Sequence, residues 1–170
     1  SELNKLIAAV DDAYNDYEPT RATRAISEFV QEILSNWYVR LSRRRFWKGE
    51  YQEDKISAYQ TLFECLITVS KLMAPVAPFY ADRLYLDLCK ATAYEKEQSV
   101  HLAKFPSADK DARNVSMEER MGKARTIASL ALSLRKKEQI KVRQPLQKIM
   151  IPVRNEEERM AIQAVEELIL

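Results

Sequence analysis

The chain has 170 residues, a net charge of +2, 46% hydrophobic and 31% charged residues, and only two glycines. At this length a chain buries about 70% of the surface that it exposes when unfolded, so its core needs neither a metal nor a disulfide. So few glycines argue against a β-rich fold with many tight turns. The single histidine and two separated cysteines make a zinc site or a catalytic triad improbable, so we expect no catalytic residue and no metal ligand.

Apolar residues recur at helical spacing through the first two-thirds of the chain, which predicts a series of helices. The predicted helices run to about Asp16, from Pro19 to about Phe46, from about Asp54 to Met73, and from Pro78 onward. In the second of these helices Trp37 and Leu41 fall on the apolar face, and Gly49 is expected to stop the helix. A core position for Trp37 predicts that its replacement by alanine costs about 3–5 kcal/mol.

The last third of the chain changes its pattern. Ser116 and Glu119 predict a capping box and a fifth helix ending in the basic turn Arg135–Lys137. The segment "SVHLAKFP" (99–106) is expected to be extended, "QKIMIPV" (147–153) alternates like a strand, and the remaining residues predict a turn and a helix. A single strand and helix cannot form a sheet domain, so this tail is expected to be the beginning of a truncated α/β segment.

These patterns predict a mainly α fold. Residues 1–140 are expected to form an antiparallel α-helical bundle, and residues 141–170 a short truncated β-strand plus a helix. The chain begins in a helical pattern without methionine and ends on an apolar run, so we expect it to be a piece of a longer polypeptide. It contains no apolar run of membrane-spanning length, and we expect no membrane partner.

The segment "SNWYVRLSRRRFWKG" (35–49) concentrates cations and aromatic residues in a chain that is otherwise nearly balanced in charge. On an α-helical wheel Asn36, Arg40, Arg43 and Trp47 form one stripe, and Arg44 and Lys48 lie near it. Guanidinium groups bind phosphate, and an indole ring stacks on an unpaired base, so the pattern fits an RNA loop. Alternatively, cations near a helix end stabilise the helix dipole and pair with neighbouring glutamates.

A second basic segment, "LRKKEQIKVRQPLQK" (134–148), includes Arg135, Lys136 and Arg143 against a single Glu138. The two segments could line one groove, which strengthens the prediction of nucleic-acid binding. A different class of protein remains open: a helical protein–protein docking module whose arginines bind an acidic partner. An independent enzyme is disfavoured, because no nucleophile lies in a recognisable constellation with a base.

Four segments in this order resemble the C-terminal half of class I isoleucyl-tRNA synthetases: "LSNWYVRLSRRRFW" (34–47), "TVSKLMAPVAPFYADRLY" (68–85), "SVHLAKFP" (99–106) and "LRKKEQIKVRQPL" (134–146). The valyl and leucyl relatives share the first two segments more loosely. The resemblance implies a helical bundle that binds the anticodon stem-loop of tRNA, within a cytoplasmic ligase that uses ATP and Mg²⁺ in a catalytic domain. The motifs of that domain are missing here, so the chain alone is expected to hold no cofactor and to be inactive.

The resemblance also implies which residues contact the RNA. It places Asn36, Arg40, Arg43, Arg44 and Trp47 near the anticodon arm, and Arg143 and Gln144 close to the bundle or the RNA. Lys48, Arg135 and Lys136 complete the predicted RNA-binding set on the basis of their charge. Tyr38 and Arg45 lie on other faces of the predicted helix and are assigned no contact, and His101 is expected to be structural or interfacial. The expected partners are the tRNA and the rest of the parent chain.

Overall fold

The computed structural model of the chain describes residues 1–48, 50–92, 97–109 and 111–169. Contacts between its residues divide it into two compact units, Ser1–Arg113 (unit 1) and Asn114–Leu170 (unit 2). This division groups the fifth predicted helix with the C-terminal segment. The predicted domain limit after residue 140 stays a prediction, because compactness alone does not test it.

Unit 1 is built from helices, as the apolar spacing predicts. They are α1 (Glu2–Asn15), α2 (Pro19–Glu28), a π-helical segment (Phe29–Val39), α3 (Arg43–Trp47), α4 (Glu53–Met73), α5 (Pro78–Thr92) and a 3₁₀ turn (Val100–Leu102). The second predicted helix corresponds to α2, the π-helical segment and α3 in succession. The chain bends at Ser42, but the amide of Ser42 still donates to Tyr38 and the amide of Phe46 to Ser42. Gly49, the predicted stop, lies outside the described residues.

The turn between α1 and α2 explains why these helices pack side by side. Tyr17 adopts a left-handed conformation with φ of 57°, a position usually taken by glycine. The amides of Tyr17 and Glu18 donate to the carbonyls of Tyr14 and Ala13, which closes the end of α1. Pro19 then occupies the first turn of α2, where its missing N–H costs no hydrogen bond.

The main core of unit 1 lies between α1, α2, the π-helical segment and α4. Its fully buried members include Val10, Ala22 and Leu72, and the hydroxyl of Tyr14 donates to the carbonyl of Leu72 at 2.9 Å. Because buried apolar surface supplies most of the favourable free energy of folding, this core is what holds the long second helix in place.

A second core cluster joins α4, α5 and the 3₁₀ turn around the fully buried Tyr85. The predicted extended conformation of residues 99–106 is wrong at its start. Asp82 accepts hydrogen bonds from the hydroxyl of Ser99 at 2.7 Å and from the amide of Val100 at 2.8 Å, and the chain turns so that Val100 is buried. These two bonds, that of Ser99 foremost, lower the pKa of Asp82.

Unit 2 contains α6 (Val115–Lys137), α7 (Glu156–Gln163) and a 3₁₀ turn (Glu166–Leu168). The predicted capping box at Ser116 is wrong by two residues, because the side chain of Asn114 accepts from the amide of Met117 at 3.0 Å and caps the helix. Asparagine is as good a cap as serine, so the helix begins at the earlier residue. Of the described residues of unit 2, only Ala124 and Val165 are buried.

The predicted strand at residues 147–153 is wrong. Residues 148–153 form no regular element, and nothing in the described part of the chain pairs with them. Ile149, Ile151 and Val153 instead line an apolar groove with Ile162 of α7. Alternation of apolar residues sets which way side chains face, but a strand forms only where a second strand supplies its hydrogen bonds.

Candidate nucleic-acid interface

The π-helical segment changes which side chains of the long second helix face outward. Hydrogen bonds of a π-helix reach one residue further than those of an α-helix, so each residue turns through a smaller angle. Beyond the segment Leu41, predicted to lie inward, is 42% exposed, and Ser42 is buried in its place. The prediction for Leu41 is wrong because an α-helical wheel places this part of the helix about one residue out of register.

This rotation gathers the outward side chains at the end of the helix around one open groove of about 660 Å³. The residues that line it are Arg40, Leu41, Arg43, Arg44, Trp47 and Lys48, which we call the arginine groove. Trp47 is 77% exposed, so a flat aromatic face is available to a ligand. The structure therefore brings together five of the predicted RNA-binding residues and adds Leu41, which the sequence analysis assigned to the core.

The cations of the arginine groove are not neutralised by neighbouring acids. Across the described ranges, Arg40, Arg43, Arg44 and Lys48 form no ion pair within 4.0 Å. Their charges therefore remain available to an anionic ligand, and they repel one another in its absence.

Arg45, which the sequence analysis assigned no contact, points the other way and binds the start of α4. Its Nε donates to Oδ2 of Asp54 at 2.8 Å, and its Nη2 donates to Oδ1 at 2.6 Å. This contact raises the pKa of Arg45 and lowers that of Asp54, chiefly through the side-chain hydrogen bonds between them. The α-helical wheel already places Arg45 on another face than Arg40 and Arg43, but its partner Asp54 belongs to the next helix and could not be identified from the pattern.

Asn36, the remaining predicted contact in this helix, does not line the arginine groove. It is exposed, and its Nδ2 lies 3.5 Å from Oε1 of Glu32, one turn earlier.

Trp37 is only half-buried, so the prediction of a core tryptophan is not met. Its neighbour Tyr38 instead packs against the main core and donates its hydroxyl to the carbonyl of Ala58 at 3.0 Å.

The other predicted RNA contacts belong to unit 2 and form no part of the arginine groove. Arg135 is half-buried, and its Nη1 donates to the carbonyls of Lys141 at 3.1 Å and Gln144 at 2.9 Å. Arg143 and Gln144 are exposed and line a cavity of about 520 Å³ together with Arg135. Lys136 is exposed in the last turn of α6. Their contact with RNA stays a prediction.

The thiol of Cys65 lies in the main core of unit 1. Burial raises the pKa of the Cys65 thiol to about 11, which keeps it protonated and unreactive at neutral pH. No cluster of three histidine, cysteine or acidic residues able to bind a metal occurs in the parts of the chain described. None of the described helices is both long and apolar enough to cross a membrane.

Comparison with known proteins shows the family of the chain. The family described as "Anticodon-binding domain of tRNA ligase" matches residues 1–150. The chain is 57% identical over 170 residues to an isoleucine–tRNA ligase of Bacteroides thetaiotaomicron, covering all of this chain but 15% of the relative. It is 58% identical to the ligase of Porphyromonas gingivalis, with 14% of that protein covered, and 44% identical to that of Dehalococcoides mccartyi, with 17% covered.

The resemblance to isoleucyl-tRNA synthetases is confirmed by these relatives, and it extends over the whole chain. The chain spans about a seventh of their length, in the region that the family match assigns to anticodon binding. Because the match covers most of its residues, the chain belongs to the family of anticodon-binding domains of tRNA ligases.

Proposed function

We propose that this chain recognises the anticodon stem-loop of an isoleucine tRNA through the arginine groove. The observation that carries this proposal is the exposed ring of Trp47 beside cations that have no acidic partner in the described part of the chain. The ring offers a stacking surface for an unpaired base, and the guanidinium groups offer donors to phosphate oxygens.

The composition of the groove favours a loop over a duplex. A duplex keeps its bases stacked on one another, so an exposed indole ring gains nothing from it, whereas a loop presents splayed bases. Leu41 provides apolar surface beside Trp47, which suits the face of a base better than a row of phosphates. Arg40, Arg43, Arg44 and Lys48 would supply affinity through phosphate contacts, and base edges would supply identity.

In the parent protein this binding would fix the tRNA so that its acceptor end reaches a separate catalytic site. That site would use ATP and Mg²⁺ and lie in the part of the polypeptide that the present chain does not include. The chain alone would then bind tRNA without charging it. We also propose a cytoplasmic location, where protein synthesis uses such a ligase.

The test is binding of a fluorescently labelled anticodon stem-loop, measured by anisotropy across a series of salt concentrations. We expect the double variant Arg40→Ala/Arg43→Ala to bind at least about tenfold more weakly, with a salt slope shallower by about 1.5, because two phosphate contacts are removed. A blunt RNA duplex of the same stem should bind more weakly than the stem-loop to the unmodified chain.

The matched control is Arg24→Ala/Lys90→Ala, which removes two exposed cations outside the groove. It should change binding much less than the groove variant. Equal losses in the two variants would show only a general attraction to RNA and would overturn the site. Binding of an acidic peptide in place of the stem-loop would instead favour a docking module.

A further inference from the structure

The helix that carries most of the arginine groove cannot hold itself in place. α3 has five residues, far fewer than an isolated helix needs to be stable in water. It also carries Arg43 and Arg44 close to Arg40, and like charges one turn apart destabilise a helix. Besides the backbone hydrogen bonds that continue the preceding helix through Ser42, the orientation of these side chains therefore depends on contacts between α3 and the rest of unit 1.

Those contacts come from α4. Phe46 packs on Tyr59 with ring centroids 5.1 Å apart, and the hydroxyl of Tyr59 donates to the carbonyl of Phe46 at 3.2 Å. Tyr38 also contacts Phe46 edge to face, with ring centroids 6.3 Å apart. The ring packing and the hydrogen bond from Tyr59 hold α3 against α4 at Phe46, and attachment at a single residue leaves the helix some freedom of rotation.

The contact between Arg45 and Asp54 removes that freedom. Besides its two bonds to the carboxylate, Nη2 of Arg45 donates to the backbone carbonyl of Asp54 at 3.1 Å. A planar guanidinium held at two carboxylate oxygens and one carbonyl has a defined orientation, which a single point charge would not have. Arg45 lies between Arg44 and Phe46, so its orientation fixes that of the residues on either side.

We propose that Arg45 is a positioning residue for RNA binding: anchored on Asp54, it sets the rotation of α3 that presents Arg43, Arg44 and Trp47 to the nucleotide. This inference rests on the proposed function of the arginine groove. Arg45 itself is turned away from the groove, so its contribution to affinity is to preorganise the side chains that bind.

Substitution of Asp54 tests this inference, because a charge effect and a positioning effect change RNA affinity in opposite directions. If charge alone mattered, Asp54→Asn would strengthen RNA binding, because it removes a negative charge and releases Arg45 to contact phosphate. If Arg45 acts by positioning α3, the same variant weakens binding although the chain becomes more positive. Glu53→Gln is the matched control, since it removes one exposed negative charge from the adjacent residue of α4.

The experiment measures stem-loop affinity, its salt slope and hydrogen exchange of the amides of residues 43–48 in the full 170-residue chain. We expect Asp54→Asn and Arg45→Gln each to weaken binding by about twofold to fivefold, because the loss of affinity cannot exceed the contribution of the contact to the orientation of α3. The salt slope should be unchanged, since every phosphate contact is retained. Exchange of residues 43–48 should become faster in both variants, and Glu53→Gln should leave affinity and exchange close to those of the unmodified chain. The global melting temperature should change little, because an exposed ion pair adds little stability.

Two results would overturn the inference: Asp54→Asn binding as tightly as Glu53→Gln, or Arg45→Gln lowering the salt slope as Arg43→Ala does. The second result would make Arg45 a direct phosphate contact. Failure of the unmodified chain to bind the stem-loop would overturn the proposed function and with it the role in RNA binding. Hydrogen exchange at the amides of residues 43–48 would still report whether Asp54 anchors α3. Failure of the proposed function is therefore distinguishable from failure of the anchoring role.

Discussion

Two segments of this chain are rich in cations, and the structure uses them in different ways. In residues 40–48 four cations without an acidic partner among the described residues surround an exposed tryptophan, on a helix held against α4. In residues 135–148 Arg135 is turned inward to backbone carbonyls, and the residues after Gln139 form no helix or strand. Residues 40–48 present the arginine groove on a helix. Residues 138–148 form a loop, and Arg135 holds it through hydrogen bonds to its backbone carbonyls.

The difference shows that charge density does not indicate which cations are available to a ligand. A guanidinium that donates to carbonyls of its own chain must exchange those bonds before it can bind phosphate, which lowers its net contribution to affinity. The cations of the first segment need no such exchange. We therefore expect most of the RNA affinity to come from the first segment, with a smaller contribution from exposed residues such as Arg143.

The largest expected effect concerns the packing of the two units that carry these segments. Leu72 is fully buried in the main core of unit 1, whereas Leu134, at the start of the second basic segment, is 61% exposed. Leu72→Ala should lower the free energy of unfolding by about 2–5 kcal/mol, and Leu134→Ala by less than about 0.5 kcal/mol. Urea unfolding followed by circular dichroism measures both. Equal losses would show that Leu134 is packed in unit 2 as firmly as Leu72 is in unit 1.

Trp47→Ala tests the aromatic component that the second basic segment lacks. Loss of one stacked base should weaken stem-loop binding by about 1–3 kcal/mol, and stability should hardly change because the side chain is so exposed. Phe79→Ala is the matched control, since Phe79 is also exposed but lies on α5, outside the groove. Anisotropy with the labelled stem-loop is the measurement. Similar losses in the two variants would remove Trp47 from the site.

Arg135→Ala tests whether this arginine organises the second segment. Without its bonds to the carbonyls of Lys141 and Gln144, the turn after α6 should open more often, at a cost of about 1–2 kcal/mol after allowance for partial exposure. Faster hydrogen exchange at the amides of Ile140 and Gln144 would report this opening. Lys136→Ala, an exposed neighbour, should leave both amides unchanged. If the two variants behave alike, Arg135 is not the residue that holds the turn.

The order of the helices could be predicted from the sequence because each signal is local. Apolar spacing located the helices, and Pro19 and Pro78 marked two of their starts correctly. The failures depend on partners that are distant in sequence. Residues 147–153 have the alternation of a strand but no second strand to pair with among the described residues, and residues 99–102 turn because Asp82, on another helix, accepts two of their hydrogen bonds.

The candidate site was predicted only in part, for a related reason. The charges and tryptophans of residues 35–49 identified the segment, and the stripe of Arg40, Arg43 and Trp47 is present in the arginine groove. The exposure of the neighbours of that stripe, such as Leu41, depends on the π-helical segment. That segment could not be predicted, because the spacing of apolar residues up to Leu34 is also compatible with an α-helix. The exposure of Leu41 and the partner of Arg45 therefore required the structure, whereas the α-helical wheel had already placed Arg45 outside the stripe.

Trp37, in the helix that leads to the first segment, gives the smallest expected effect. Its indole Nε1 is enclosed and has no hydrogen-bond partner within the described residues, so the ring contributes packing and also an unsatisfied donor. Trp37→Phe removes that donor, which offsets the poorer packing of the smaller ring, and the free energy of unfolding should change by less than about 1 kcal/mol. Urea unfolding of this variant beside Trp37→Ala separates the two contributions. A loss above about 2 kcal/mol in Trp37→Phe would mean that Nε1 is hydrogen-bonded in solution.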